Sequence, residues 1–321
     1  FTNVQLVEAQ STPDGNFPTV ASPNPEESAA LAMAVAQAEA TGADLVIGCD
    51  PDTDRVGIAV NDGTGKMQLL NGNDTAALLV HYILDAYKTN GTLPANGFTA
   101  ATVVTTDLIA DISAAYGVPC YRCLTGFKWI ADIINNKPEE QFLVGGEESY
   151  GYLIGDEVRD KDAVASAVMI AEMAANAKAQ GRTVLQQLEA IHREFGQYQE
   201  RLIAVTKKGR SGAQEIADMM TALRNDPPKT LAGSPVIIAI DHGKSTQTDL
   251  LTGATSSTEL PASNVLQFIT EAGDKVSARP SGTEPKIKFY FSVRATTGDS
   301  HAATKAELER KIDTFIEELN L

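Results

Sequence analysis

The apolar run Leu45-Val46-Ile47-Gly48-Cys49 leads into Asp50-Pro51-Asp52-Thr53-Asp54-Arg55, which sets three carboxylates within five positions. Like charges about 4 Å apart at an effective dielectric near 20 repel by roughly 4 kcal/mol per pair. A chain that gathers them must leave them on a solvated turn or offset them with positive charge. The strand that feeds this loop puts the acids at its carboxyl end, where α/β folds hold ligands. A hard divalent cation such as Mg²⁺ takes oxygen ligands and relieves the repulsion. Asp50, Asp52 and Asp54 are therefore the candidate metal ligands, with Arg55 beside them. Two other acidic loops fail on the residues present. An EF-hand would need Gly and Glu where Arg55 and Asn61 stand. A haloacid-dehalogenase loop, D-x-D-x-T or V, fails at Asp54. A solvated acidic turn is the competing reading.

Strand and helix patterns alternate around this loop. Residues 4–8 read as a short strand. In Ser22-Pro23-Asn24-Pro25-Glu26-Glu27, Asn24 is the expected N-cap and Pro25 the first helical residue, with two acids in the first turn. Gly42 ends that helix and 44–49 is a buried strand, so strand, helix and strand suggest a right-handed α/β unit. Further on, Asn73 or Asp74 caps a helix to about residue 88. Strands are expected at 99–105 and 142–145, and helices at 108–116, 126–135, 162–179 and 183–195. After Gly196 strands become neighbours (201–206, 236–240, 265–269, 275–278 and 286–294), with helices at 214–224 and about 303–319. Residues 243–258 read as a surface loop. The expected fold is α/β with mixed sheets, followed by a smaller α+β C-terminal domain with an antiparallel sheet. The expected domains are 1–68, 69–195 and 196–321.

Four more segments carry chemistry. Gly145-Gly146-Glu147-Glu148-Ser149-Tyr150-Gly151-Tyr152 puts acids and a hydroxyl on a Gly-flanked turn, suited to sugar hydroxyls, although a plain tight turn would look the same. Thr125-Gly126-Phe127-Lys128-Trp129 sets a Lys on a helix's first turn, where a surface Lys is the ordinary alternative. In Arg159-Asp160-Lys161-Asp162, Asp162 doubles as a helix N-cap. Arg279-Pro280-Ser281-Gly282-Thr283-Glu284-Pro285-Lys286-Ile287-Lys288 offers a guanidinium, hydroxyls, a Gly and two Lys, the parts of a phosphate clamp, with a hairpin loop as the alternative.

The net charge of −16 repels nucleic acid and anionic membranes, so partners of those classes are not expected. No stretch approaches the roughly 20 apolar residues of a membrane span. Three cysteines, Cys49, Cys120 and Cys123, give no disulfide framework and suggest a reducing, cytoplasmic setting. The Cys120-x-x-Cys123 pair, with no second pair nearby, reads as structural.

Together, Ser-Pro-Asn-Pro-Glu (22–26), Thr-Gly-Phe-Lys-Trp (125–129), Gly-Glu-Glu-Ser-Tyr-Gly-Tyr-Leu (146–153) and Arg-Asp-Lys-Asp (159–162), with the loops at 50–55 and 279–288, resemble the α-D-phosphohexomutase superfamily. The likeness is greatest to bacterial phosphoglucomutases and phosphomannomutases, including their phosphopentomutase-like relatives. It covers nearly the whole chain, in the family's order. The resemblance implies a mutase that interconverts hexose 1-phosphate and hexose 6-phosphate through an enzyme phosphoserine and a glucose 1,6-bisphosphate-type intermediate. It implies that Asp50, Asp52 and Asp54 hold Mg²⁺ and that Arg55 lies beside the transferred phosphoryl group. Lys128 and Lys161 would line the reaction centre, and Glu147 and Ser149 would meet sugar hydroxyls. Arg279, Ser281, Gly282, Thr283 and Lys288 would grip the phosphate that is not reacting. Sugar phosphates are the expected partners. The family's serine loop, similar to Thr-Ala-Ser-His-Asn, does not occur in the chain. The chain is therefore expected to be a fragment, inactive alone. A sugar-phosphate-binding protein without catalysis and a Mg²⁺-dependent sugar phosphatase are the alternatives.

Overall fold

The computed structural model describes residues 1–207, 211–282, 284–296, 298 and 300–321. They form two compact units, Phe1–Ile191 and His192–Leu321.

The first unit contains two sheets. Strands Leu45–Cys49, Val56–Asn61 and Met67–Leu70 form an antiparallel sheet in that order. Cys49 pairs with Val56, so the acidic loop is the hairpin connection between two strands. The helix Ser28–Thr41 covers one face by packing Leu31 and Ala38 on Val46 and Ala59. Gly42, at φ +70°, ends it in the left-handed conformation that glycine adopts without penalty. The second sheet runs Cys120–Cys123, Gly97–Thr102, Gln141–Gly146 and Tyr152–Ile154, the first three parallel and the last antiparallel. Every residue of Gly97–Thr102 is buried, as expected of a parallel strand covered on both faces. Phe98, Ala100, Phe127, Ile130, Ile134, Phe142 and Leu153 form the core beneath the helix Lys128–Asn136. The helices Gly72–Thr89, Leu108–Ala115, Ala163–Ala179 and Val184–Phe195 complete the order, the last running across the boundary between the units.

The second unit is an antiparallel sheet in the order Thr255–Ser257, Thr246–Asp249, Ser234–Asp241, Leu266–Thr270, Lys275–Pro280, Lys286–Ala295, Gln197–Thr206, with Thr230–Leu231 beside Ser234–Asp241. The helices Gly212–Asn225 and His301–Glu318 bury Ile216, Met220, Leu308, Ile312 and Phe315 against Phe268, Phe289 and Phe291. This is the expected α+β domain. Among the described residues no helix is long and apolar enough to cross a membrane.

Several local expectations are corrected. Residues 4–8 form no strand; Val4 and Leu6 are each 70% exposed, with no neighbouring strand to pair with, and a four-residue helix, Glu8–Ser11, follows. The unit around the acidic loop is thus an antiparallel meander rather than strand–helix–strand. Leu45–Cys49 lies at a sheet edge and exposes Ile47 and Cys49. The helix after Pro25 begins at Ser28, because Asn24 Oδ1 and the Asn24 carbonyl accept the Glu26 and Glu27 N–H groups and hold a turn there. Asn71, not Asn73 or Asp74, caps the next helix by accepting the Asp74 N–H at 2.8 Å. The supposed loop 243–258 contains two strands built on β-branched Thr246, Thr248 and Thr255.

Candidate functional site

Three loops of the first unit meet at the acidic hairpin. Asp50 Oδ1 accepts the Asp54 and Arg55 N–H groups at 3.0 and 2.9 Å, which folds the loop back on its own first carboxylate. One oxygen each of Asp50, Asp52 and Asp54 lies within 4.8 Å of the others. Burial, together with the charges of Asp54 and Asp52, raises the Asp50 carboxyl above its ordinary range. Burial acts the same way on Asp54, but Lys161 and Arg55 outweigh it and hold Asp54 below its ordinary value. The Lys161 ammonium is 2.9 Å from Asp54 Oδ2 and 3.2 Å from Asp160 Oδ1. These contacts overcome its partial burial and raise its pKa. Oxygen donors of this number and charge fit Mg²⁺.

Arg55 Nε faces Asp50 Oδ2 at 3.9 Å and Asp54 Oδ1 at 3.7 Å, while Nη1 donates to Glu26 Oε1 at 2.6 Å. A hollow of about 290 Å³ opens here, lined by Pro23, Asn24, Asp50, Pro51, Asp52, Asp54 and Arg55. The contribution of the 23–26 turn was not expected from sequence. In the sequence Glu26 reads as a first-turn helix acid, and no local signal marks it as a partner of Arg55.

The 147–151 loop is fastened to the hairpin by the Val56 N–H, which donates to the Tyr150 carbonyl at 3.0 Å. The loop before Ala163–Ala179 is fastened by the Ala163 N–H to the Thr53 carbonyl at 3.0 Å. Thr53, Tyr150 and Arg159, one in each loop, hold positive φ of 56°, 67° and 57°. Such conformations cost non-glycine residues energy and gather where a site over-determines the backbone. Gly151 is crowded for a different reason. A Cβ there would lie 2.3 Å from Lys161 Cδ, so the Lys stem crosses directly over the glycine.

Ser149 is half-buried in this loop. Glu147 is 7% exposed, and its Oε1 accepts the Gly126 N–H at 2.7 Å, tying the sugar-loop candidate to the 125–128 loop. Glu148 Oε2 receives the Thr102 and Thr105 hydroxyls at 3.3 and 3.2 Å. Lys128 is exposed, with Nζ 5.0 Å from the Trp129 ring centre. Lys161 Nζ lies 5.6 Å from the neighbouring Phe127 ring. The C-x-x-C cysteines share one strand; burial pushes the Cys123 thiol up to about 12.

In the second unit, Arg279 and Lys288 are direct cross-strand partners, both half-buried. Adjacent cations on one sheet face repel and favour an anion between them. The Ser281 N–H donates to the Lys286 carbonyl, and Ser281 Oγ accepts the Glu284 N–H at 3.3 Å, so the turn that follows Arg279 is closed by its own backbone. Gly282 is exposed. Thr283 lies outside the described residues.

Comparison with known proteins gives consistent matches. Residues 1–64 match the family model for phosphoglucomutase/phosphomannomutase, alpha/beta/alpha domain II, and residues 71–195 that for domain III. A phosphoglucomutase of Staphylococcus epidermidis is 38% identical over 294 residues, 91% of this chain and 53% of that protein. A protein of Haemophilus influenzae named "probable phosphomannomutase" is 38% identical over 291 residues, 90% of this chain and 54% of that protein. The chain thus spans about half the length of the curated relatives it matches. A phosphoglucomutase/phosphomannomutase family protein of Burkholderia thailandensis has a similar fold, at TM-score 0.60 and 17% identity, over 96% of this chain and 53% of its own. The pp63/parafusin phosphoglucomutase of Paramecium superposes at TM-score 0.59 and 18% identity, over 87% of this chain and 46% of its own.

Proposed function

The chain belongs to the phosphoglucomutase/phosphomannomutase family of the α-D-phosphohexomutase superfamily, and on that premise we propose that it forms the metal-, sugar- and phosphate-binding part of a hexose phosphate mutase. The observation that carries this reading is the convergence of Asp50, Asp52 and Asp54 beside Arg55 and Lys161. Asp50, Asp52 and Asp54 would hold Mg²⁺, which supplies charge compensation for a phosphoryl group in transfer. Arg55 offers its guanidinium to that group's oxygens. Lys161, kept protonated by Asp54 and Asp160, stabilises developing negative charge and gives or takes a proton at the sugar oxygen. Lys128 serves the same centre. Ser149 and Glu147 receive sugar hydroxyls, Glu147 from its place beneath Gly126. Arg279, Ser281, Gly282, Thr283 and Lys288 grip the phosphate that is not reacting.

The reaction would proceed by two phosphoryl transfers. An enzyme phosphoserine gives its phosphoryl to a hexose monophosphate. The resulting 1,6-bisphosphate turns over and returns the other phosphate to serine. Glucose and mannose phosphates both fit this scheme. No serine of the chain stands in a Thr-Ala-Ser-His-Asn context, so the phosphoryl donor lies outside these 321 residues, and the chain alone does not catalyse the interconversion. Calorimetric titration with Mn²⁺ and with glucose 6-phosphate, alongside a coupled mutase assay, tests this. Binding of both without turnover is expected. Conversion of glucose 1-phosphate by the pure chain would overturn the external serine, and binding of neither ligand would overturn the reading as a whole.

A further inference from the structure

We propose that Glu26 is the positioning residue for Arg55: it draws the guanidinium off the aspartates, so that the carboxylates stay open to a cation and Arg55 stays open to a phosphoryl group. The inference rests on the metal-loop reading above. Arg55 directly follows the three acids and would otherwise be the nearest cation to neutralise them. Instead its short contact, 2.6 Å, is from Nη1 to Glu26 Oε1, whereas Nε stands 3.9 and 3.7 Å from Asp50 and Asp54. Those longer separations exceed a hydrogen bond, so Glu26 takes the stronger of the available pairings.

Glu26 is held in place by two independent devices. Asn24 Oδ1 accepts the Glu26 N–H at 3.1 Å, which sets the turn. The Pro25 carbonyl then rests against Gly57, where a Cβ would come within 2.7 Å of it. The turn is thereby seated on the strand that begins one residue after Arg55, and Glu26 meets the guanidinium at Nη1 while the acids stand nearest Nε. Arg55 keeps about a third of its side chain exposed, and the hollow beside it is lined by Pro23, Asn24 and the three aspartates. A guanidinium anchored at one end presents its remaining N–H groups in a fixed fork, which suits a phosphoryl oxygen.

The test compares Mn²⁺ affinity, by calorimetry or electron paramagnetic resonance, in the full chain and in Glu26→Gln, Arg55→Gln and the double variant. If Glu26 acts through Arg55, Glu26→Gln frees the guanidinium to close on Asp50 and Asp54 and weakens Mn²⁺ binding by roughly five- to tenfold. The same substitution then has no effect in the Arg55→Gln background. Equal weakening in both backgrounds means that Glu26 acts directly on the cation and overturns the inference, as does unchanged affinity in Glu26→Gln alone. Glu26→Asp, which keeps the charge on a shorter arm, is expected to recover part of the affinity; a loss as large as that of Glu26→Gln, with the fold intact, would also count against it. Absence of Mn²⁺ binding by the unmodified chain would instead overturn the metal-loop reading, and this inference with it.

Discussion

Gly72→Ala opposes two effects of known sign, and the structure says which one wins. Gly72 opens the helix Gly72–Thr89. On helix propensity alone, Gly to Ala stabilises by about 0.5–1 kcal/mol in a helix interior, and less at a first position. A Cβ at this site, however, would lie 2.0 Å from the Glu148 carbonyl oxygen and 2.7 Å from its carbon. Ordinary contact begins near 3.4 Å, so two backbones must separate by about 1.4 Å. Neither can turn aside as a side chain would, and the Tyr152 hydroxyl, which donates to the Gly72 carbonyl at 3.0 Å, holds the pair together. Overpacking of this kind costs about 1–3 kcal/mol. The net expectation is destabilisation of about 1–2 kcal/mol, a fall in melting temperature of roughly 3–6 °C for a unit of this size. Thermal and urea unfolding measure it, and amide exchange at residues 147–152 locates it. Gly15→Ala is the control, since nothing lies within 4 Å of the added carbon. A Gly72→Ala chain as stable as the parent would refute the close approach on which the position of the 147–151 loop depends.

Three other outcomes are expected. Asp52 is exposed, so Asp52→Asn leaves melting nearly unchanged; as one of the three proposed ligands its charge is lost, and Mn²⁺ affinity should fall roughly tenfold or more, read by calorimetry. Burial, reinforced by neighbouring His301, lowers the His192 pKa from 6.5 to about 4. Its folded value lies below its unfolded one, so the His192 contribution to the second unit's stability is fully present above pH 6.5, and up to about 3 kcal/mol of it is lost as pH falls toward 4. Urea melts across that range should show the slope, and His192→Gln should flatten it. Cys123, pushed up to about 12, should resist iodoacetamide at pH 8 in the folded chain and react once urea unfolds it.

Much of this arrangement was legible in the sequence because its signals are local. Five adjacent acidic and turn residues after an apolar run mark a strand-end loop wherever the strand pairs. Gly42 and Asp162 act at helix ends through their own backbone conformation or side chain. Pairing partners are not local, and the reading failed there. The 4–8 run has strand composition but no neighbour, and Leu45–Cys49 pairs forward with Val56–Asn61 rather than with an earlier strand. Asn24 carries the chemistry of an N-cap, but its oxygen closes a turn instead, because Pro25 is seated against Gly57 more than thirty residues away. Glu26 is hidden for the same reason. Its partner is 29 residues distant, and nothing in a single sequence distinguishes a first-turn acid from the counter-ion of a remote Arg.

The way the loops are fastened explains why their side chains remain available for chemistry. Buried backbone N–H and C=O groups must find partners, and a loop that meets this demand with its own side chains has none left for a ligand. Here the demand is met largely from backbone to backbone. Val56 donates to Tyr150, Ala163 to Thr53, Asp162 to Tyr152 and Glu147 to Gly151. These bonds hold the hairpin, the 147–151 loop and the approach to Ala163–Ala179 in register, and the positive φ of Thr53, Tyr150 and Arg159 is what such register demands. Structural side-chain duty then falls on a few residues: Asp50 through one oxygen, Glu148 on the two threonines, and Glu147 on Gly126. Asp52 is left exposed and Ser149 half-buried, while the Lys161 stem packs over Gly151 and its ammonium pairs with Asp54 and Asp160. The ammonium's ion pairs, unlike the packing of its stem, respond to added charge. A cation held by the three aspartates, as proposed, would compete with Lys161 for Asp54 and leave the ammonium available to an anion, whereas Ala163–Ala179 is anchored to the hairpin by the bond from Ala163 to Thr53.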